Sequence, residues 1–139
     1  MIIAVIDGQG GGIGSAIIRN LQVEFGTQIE IWALGTNSIA TAAMMKSRAN
    51  RGATGENAII QSVAKVDIVV GTISIIMAQA MMGELTPGMA NAIAASPANK
   101  LLLPITQEKI NIIGVNHEPL PHLIDQLTLQ IKREINFNV

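Results

Sequence analysis

The sequence predicts an α/β fold: a three-layer, Rossmann-like sheet of about five strands, in the order 2-1-3-4-5 with the last strand antiparallel. Three observations predict it. Ile2 to Ile6 is a continuous run of β-branched and small apolar residues, the pattern of a strand buried on both faces. Five of the seven residues from Gly8 to Gly14 are glycine, and the following Ile13, Ile17, Ile18, Leu21 and Phe25 recur at helical spacings of three and four. Two further apolar runs, Ile29 to Leu34 and Asp67 to Gly71, follow after helix-length spacers, which completes a βαβαβ order.

The other elements follow in turn. Gly26 is a helix C-terminal stop, and Gly35-Thr36-Asn37-Ser38 is a turn and cap into a small-residue helix over Ile39 to Arg48. Asn50 to Gly55 breaks that helix, and Thr54 is expected to cap the next one, with Ile59, Ile60 and Val63 on its apolar face. Ser74 to Met82 reads as a helix. Thr86-Pro87 starts another with a hydroxyl cap and a proline in the first turn, and Ser96-Pro97 ends it. Leu101 to Ile105 and Ile110 to Val115 read as strands separated only by Thr106 to Lys109. A parallel crossover needs a dozen or more residues, so the pair is expected to be an antiparallel hairpin. Leu120, Leu123, Ile124, Leu127 and Ile131 form the face of a last helix started by Pro121, before a tail from Asn136 to Val139. All of residues 1–139 read as one domain.

Composition excludes several classes of function. Nine Lys plus Arg against ten Asp plus Glu leave no basic field for a nucleic-acid backbone, and two Phe, one Trp and no Tyr leave few platforms for base stacking. The longest uncharged apolar stretch, Ile68 to Gly83, is shorter than the ~20 residues of a membrane span and carries polar residues. Without cysteine or a basic leader, the expected location is the cytoplasm. Charged residues are only 14% and hydrophobic ones 49%, an apolar excess that predicts a homo-oligomer, in the first instance a homodimer. The methionine-rich stretch Ser74 to Met89 (Met77, Met81, Met82, Leu85 and Met89, with Glu84 as its one charge) is the expected interface. The other place for these side chains is a face of the sheet.

The chemistry concentrates in the glycine loop. Between a strand and a helix, such a loop lets a ligand approach the main chain and presents free amides where the helix dipole favours an anion. Asp7, Gly8, Gln9, Gly10, Gly11, Gly12, Ile13 and Gly14 are therefore the expected binding residues for a phosphate-bearing nucleotide or dinucleotide. Tight packing of the turn is the competing explanation. The fingerprint Gly-x-Gly-x-x-Gly is not met from Gly8 or from Gly10. Instead Gly8-x-x-x-Gly12-Ile13-Gly14-x-Ala16 resembles the glycine motif of short-chain dehydrogenases/reductases, and Asp67-Ile-Val-Val-Gly71 resembles their strand beside the adenine site. That resemblance implies a dinucleotide against Gly8, Gly12, Ile13 and Gly14. The catalytic tyrosine of those enzymes has no counterpart in a chain without Tyr, so this is not a working member. Asp7 stands where they usually have threonine. A carboxylate there repels a pyrophosphate unless it binds a sugar hydroxyl, a cation or the loop's own amides.

Over nearly its whole length the sequence is similar to a family of short bacterial proteins catalogued as a domain of unknown function. The stretches that carry this are Ala4 to Gly14, Ala33 to Asn37, Gly52 to Ala58, Thr86-Pro87 and Glu118 to Ile124. The similarity supplies no activity.

An acid for the ribose of NAD is expected about 20 residues beyond the loop. The chain has Gly35-Thr36-Asn37 there. Thr36 and Asn37 are expected either to meet a ribose or its 2′-phosphate, which favours NADP slightly over NAD, or to cap a helix. Gly71 and Thr72 are expected on the base side of the ligand. A catalytic role would fall to Asp7 or Glu56 as general base, with Glu84 able to approach the cleft; the alternative is a ligand-free structural or regulatory oligomer. Thr54-Gly55-Glu56-Asn57 is a candidate lid. Arg48 and Arg51 before it fit a solvated helix end better than a phosphate clamp. His117 and His122, five apart and separated by two prolines, do not form a helical metal pair, and the hairpin would carry His117 away from the glycine loop.

Overall fold

Alternation along the Ile2–Asp7 run decides the layering, because successive strand side chains point to opposite faces. Ile3 and Val5 enter one core cluster, Ala4 and Ile6 another, and all four are buried. In the computed structural model, which describes residues 1–137, this run is β1 (Ile2–Asp7). It is followed by α1 (Gly12–Phe25), β2 (Glu30–Gly35), α2 (Ser38–Lys46), β3 (Arg51–Thr54) and α3 (Glu56–Val63). Then come β4 (Ile68–Thr72), α4 (Pro87–Ala95), β5 (Asn99–Leu103) and α5 (Leu120–Phe137), with 3-10 turns at Gly26–Gln28 and Ile73–Ile76.

The strands form one sheet in the order β3-β2-β1-β4-β5, and every pairing is parallel. One face carries the core built from α1, α5 and Met44 of α2. The other carries α3, α4 and the segment through Ile75, Ala80 and Leu85. Expected neighbours hold for four strands: β2, β1, β4 and β5 stand side by side as read. The fifth is not as expected. It is β3 at the opposite edge, and it is parallel, so the antiparallel last strand is corrected.

Both halves of that correction have physical causes. Arg51-Gly52-Ala53-Thr54 is an edge strand exposed along most of its length, so it carries no apolar signature. Its pairing is supplied by β2: the Asn50 side chain accepts the Ile31 amide at 2.7 Å and the Asn50 amide donates to Ile31 O at 2.8 Å, opening the ladder. Ile110 to Val115 forms no strand, and Ile113 is 93% exposed. Ser74 Oγ donates to Thr106 Oγ1 at 2.8 Å and the Met81 amide to Glu108 Oε1 at 3.1 Å, which draws the chain across the strand ends instead of back along β5.

The caps at Asn37 and Thr86 are as expected: each side chain accepts an amide three residues on, from Ala40 and Met89. Thr54, expected as a cap, ends β3, and Gly55 with φ +99° takes the cap position of α3. Ser74 to Met82 is a 3-10 turn followed by further turns, with no α-helix. Leu85 and Met89 are buried in the core and Met77 and Met81 pack against it, so of the expected interface only Met82, 96% exposed, stands free. Asn136 and Phe137 belong to α5, and Asn138 and Val139 lie outside the described residues. Among the described residues no helix is long and apolar enough to cross a membrane.

Candidate functional site

In a sheet of this order the connections diverge from β1 and β4, and the crevice at their carboxyl ends is where open α/β sheets bind ligands. The loop after β1 opens onto it. Asp7, the last residue of β1, folds its carboxylate back into this loop: Oδ1 accepts the Gly8 amide at 2.8 Å and Oδ2 the Gly14 amide at 2.7 Å. Of the roles open to a carboxylate here, the structure shows binding of the loop's own amides. Burial pushes the Asp7 pKa above the usual carboxylate range, against the two amides that lower it, and the nearby charge of Glu84 adds to the rise.

The glycines divide into two kinds. At Gly8 a Cβ would stand 2.6 Å from both Met81 Sδ and Thr36 Oγ1, and at Gly14 it would stand 2.6 Å from Met44 Sδ and 2.9 Å from Asp7 Cβ. Gly11 has φ +72° and would drive a Cβ to 2.8 Å from the carbonyl oxygen of Ala40. Packing and backbone geometry therefore require these three. Gly10 and Gly12 face open space, without a left-handed φ. Among the described residues the amides of Gly10, just before the cap of α1, and of Gly12 and Ile13 in its first turn have no acceptor.

Beside the loop, at the end of β2, lies a residue pair whose polar groups are already engaged. Glu84 Oε1 accepts from the Gln9 amide at 2.8 Å, Thr36 Oγ1 at 2.7 Å and Asn37 Nδ2 at 2.8 Å. These donors hold the Glu84 pKa below its ordinary value, the Gln9 amide most strongly and against the effect of burial. Asn37 also donates to Gln9 O at 3.0 Å while capping α2. Glu84 is thus the acid over Thr36 and Asn37, reaching them from a loop distant in sequence.

Between β1 and β4 the crevice encloses about 100 Å³, lined by Asp7, Gln9, Ile13, Thr72, Met81 and Thr106 among others. That is below the roughly 300 Å³ of ordinary small-molecule sites, because Met81 and the stretch Ile105 to Glu108 close in on it. Thr72 stays on the crevice wall. Gly71 does not: it is buried in the sheet, where a Cβ would meet Ile6 O at 2.9 Å and the Ile75 side chain, so its absent side chain serves packing.

Several candidates lie elsewhere. The Glu56 carboxylate, in the first turn of α3, accepts from Thr86 Oγ1 at the start of α4. Thr54 to Asn57 is an edge strand running into α3 rather than a lid; the covering segment is Met77 to Leu85. Arg51 pairs with Glu30 at 3.2 Å over the Trp32 ring, at the far end of β2 from the glycine loop. With the hairpin absent, His117 lines a neighbouring groove of about 480 Å³ with Ile105 and Thr106, on the glycine-loop side of the sheet. His122 lies in α5, 3.4 Å from Glu118. Among the described residues no three His, Asp or Glu side chains are grouped for a metal ion.

The family model described as a domain of unknown function (DUF3842) matches residues 2–136. The chain belongs to that family. No curated protein matches it. Two solved structures are similar to this DUF3842 chain. One is a universal stress protein in complex with cAMP, with 18% identity and a TM-score of 0.41, covering 72% of this chain and 94% of that one. The other is a dodecameric FMN-dependent Ubix-like decarboxylase from Escherichia coli O157:H7, with 10% identity and a TM-score of 0.46, covering 97% and 93%.

Proposed function

We propose that the chain binds a nucleotide or dinucleotide, its phosphate against Gly10, Gly12 and Ile13 at the start of α1 and its remainder along the crevice toward Thr72. The observation that carries this reading is the pair Gly10 and Gly12, which neither packing nor backbone angle requires. Close approach of a ligand to the main chain accounts for both, and the unpaired amides beside them suit an anion. A loop that merely packs accounts for Gly8, Gly11 and Gly14 and leaves these two unexplained.

At about 100 Å³ the crevice is too small for a whole nucleotide, so this reading requires side chains on its rim, Gln9, Met81 and Glu108 among them, to swing aside. NAD and NADP are the first dinucleotides to test. The experiment is denaturation of the purified protein with mass spectrometry of what is released, followed by calorimetric titration of NAD, NADP, FAD and AMP. Release or binding of one of these is expected; silence toward all of them rejects the proposal. The apolar excess of the sequence supports action as a homodimer.

A further inference from the structure

Three donors from two loops converge on one oxygen at Glu84 Oε1: the Gln9 amide, and the hydroxyl and carboxamide of the adjacent Thr36 and Asn37. Three donors directed at one point suit an anionic oxygen. The anion now there is the chain's own. Among the described residues Glu84 has no cationic partner, so these neutral donors are what hold it.

The segment that delivers Glu84 is held in an uncommon backbone. Four of the five residues from Gln79 to Gly83 have positive φ: Gln79 (70°), Met81 (58°), Met82 (57°) and Gly83 (89°). Side chains with a Cβ rarely adopt this region, and runs of them persist only where surrounding contacts hold them. The contacts here are its own turn hydrogen bonds, Gln79 N–H to Leu85 O at 2.7 Å and Leu85 N–H to Ala80 O at 3.1 Å among them, the burial of Ala80 and Leu85 in the core, the Glu84 carboxylate on the loop and Glu108 Oε1 on the Met81 amide at 3.1 Å.

We propose that Gln9 N–H, Thr36 Oγ1 and Asn37 Nδ2 form a subsite for a phosphate oxygen of the ligand, and that Glu84 is its intramolecular occupant, displaced when its side chain swings out while Ala80 and Leu85 stay in the core. The inference rests on the nucleotide reading for the identity of the ligand, but the subsite itself answers to any phosphate. An occupant that must leave first lowers apparent affinity by the fraction of chains in which the site is vacated.

The test is calorimetric titration of the full chain with inorganic phosphate and, separately, with AMP. Glu84→Ala is expected to bind phosphate about tenfold tighter than the unsubstituted chain, and Thr36→Val added to it should remove most of that gain. Glu84→Gln, which keeps the size of the side chain but not its charge, should show a smaller gain and serves if Glu84→Ala does not fold. Unchanged or weaker phosphate binding in both variants overturns the proposal. A loss of AMP affinity without a gain for phosphate also overturns it, since Glu84 would then accept a ligand hydroxyl. If the variants gain phosphate while no form takes a nucleotide, the subsite stands and the nucleotide reading falls. If nucleotides bind every form equally, the reverse holds.

Discussion

The carboxylate of Asp7 spans the glycine turn and accepts the Gly14 amide at 2.7 Å, tying the end of β1 to the first turn of α1. Its other oxygen holds Gly8, so the residue organises the turn from inside. Asp7→Ala leaves both the Gly8 and Gly14 amides without an acceptor. The variant is expected to lose about 1–3 kcal/mol, read by urea denaturation at neutral pH. Unchanged stability would show that the turn does not depend on this carboxylate.

Adjacent glycines should behave in opposite ways. Gly11→Ala forces a Cβ against the Ala40 backbone at a positive φ and should cost about 1–3 kcal/mol or more. Gly12→Ala meets nothing within 4 Å, lies at the helix start, and should leave stability unchanged or raise it by up to about 1 kcal/mol. If the ligand approaches here, the same Gly12→Ala variant should bind it about tenfold more weakly. Thermal melts and titrations of the two proteins side by side check this.

The two carboxylates give opposite slopes with pH. Glu84 has a lowered pKa when folded, so its contribution is present above the ordinary glutamate value and is lost as pH falls through the folded value. Asp7 has a raised one, so its contribution is present below the ordinary aspartate value and is lost as pH rises through the folded value. Denaturation midpoints should therefore lose a component that rises with pH below the ordinary glutamate value in Glu84→Gln, and one that falls with pH above the ordinary aspartate value in Asp7→Asn. Parallel curves for all three proteins would contradict these assignments.

Light scattering at micromolar concentration is expected to give a dimer. Because Leu85 and Met89 are core residues and Met81 packs beside Gly8, the informative substitution in this stretch is Met82→Glu, at a side chain 96% exposed. A monomeric unsubstituted chain rejects the oligomer. A dimer that survives Met82→Glu moves the interface elsewhere.

How much of this was readable from residues alone depends on where each signal resides. Ile2 to Ile6 and Asp67 to Gly71 read correctly because a strand buried on both faces needs an unbroken apolar run, and burial there is local information. β3 could not be read this way: Arg51 to Thr54 is a strand only because β2 offers it an edge. Ile110 to Val115 misled for the converse reason, since β-branched residues mark strand capacity and only a partner makes a strand. At the site, the strand, glycine loop and helix were legible, and so was the capping role of Asn37. Glu84 as partner of Gln9, Thr36 and Asn37 was not, because that contact joins loops 47 to 75 positions apart.

The central position of β1 also constrains how the molecule comes to exist. Ile2–Asp7 needs β2 on one side and β4 on the other, and β4 ends only at Thr72. During synthesis the apolar run Ile2 to Ile6 therefore emerges well before its second neighbour has been made. Until then it is an unpaired sticky edge in a growing chain, the kind of surface that chaperones shield and that aggregates when they do not. Slow folding is what this strand order implies.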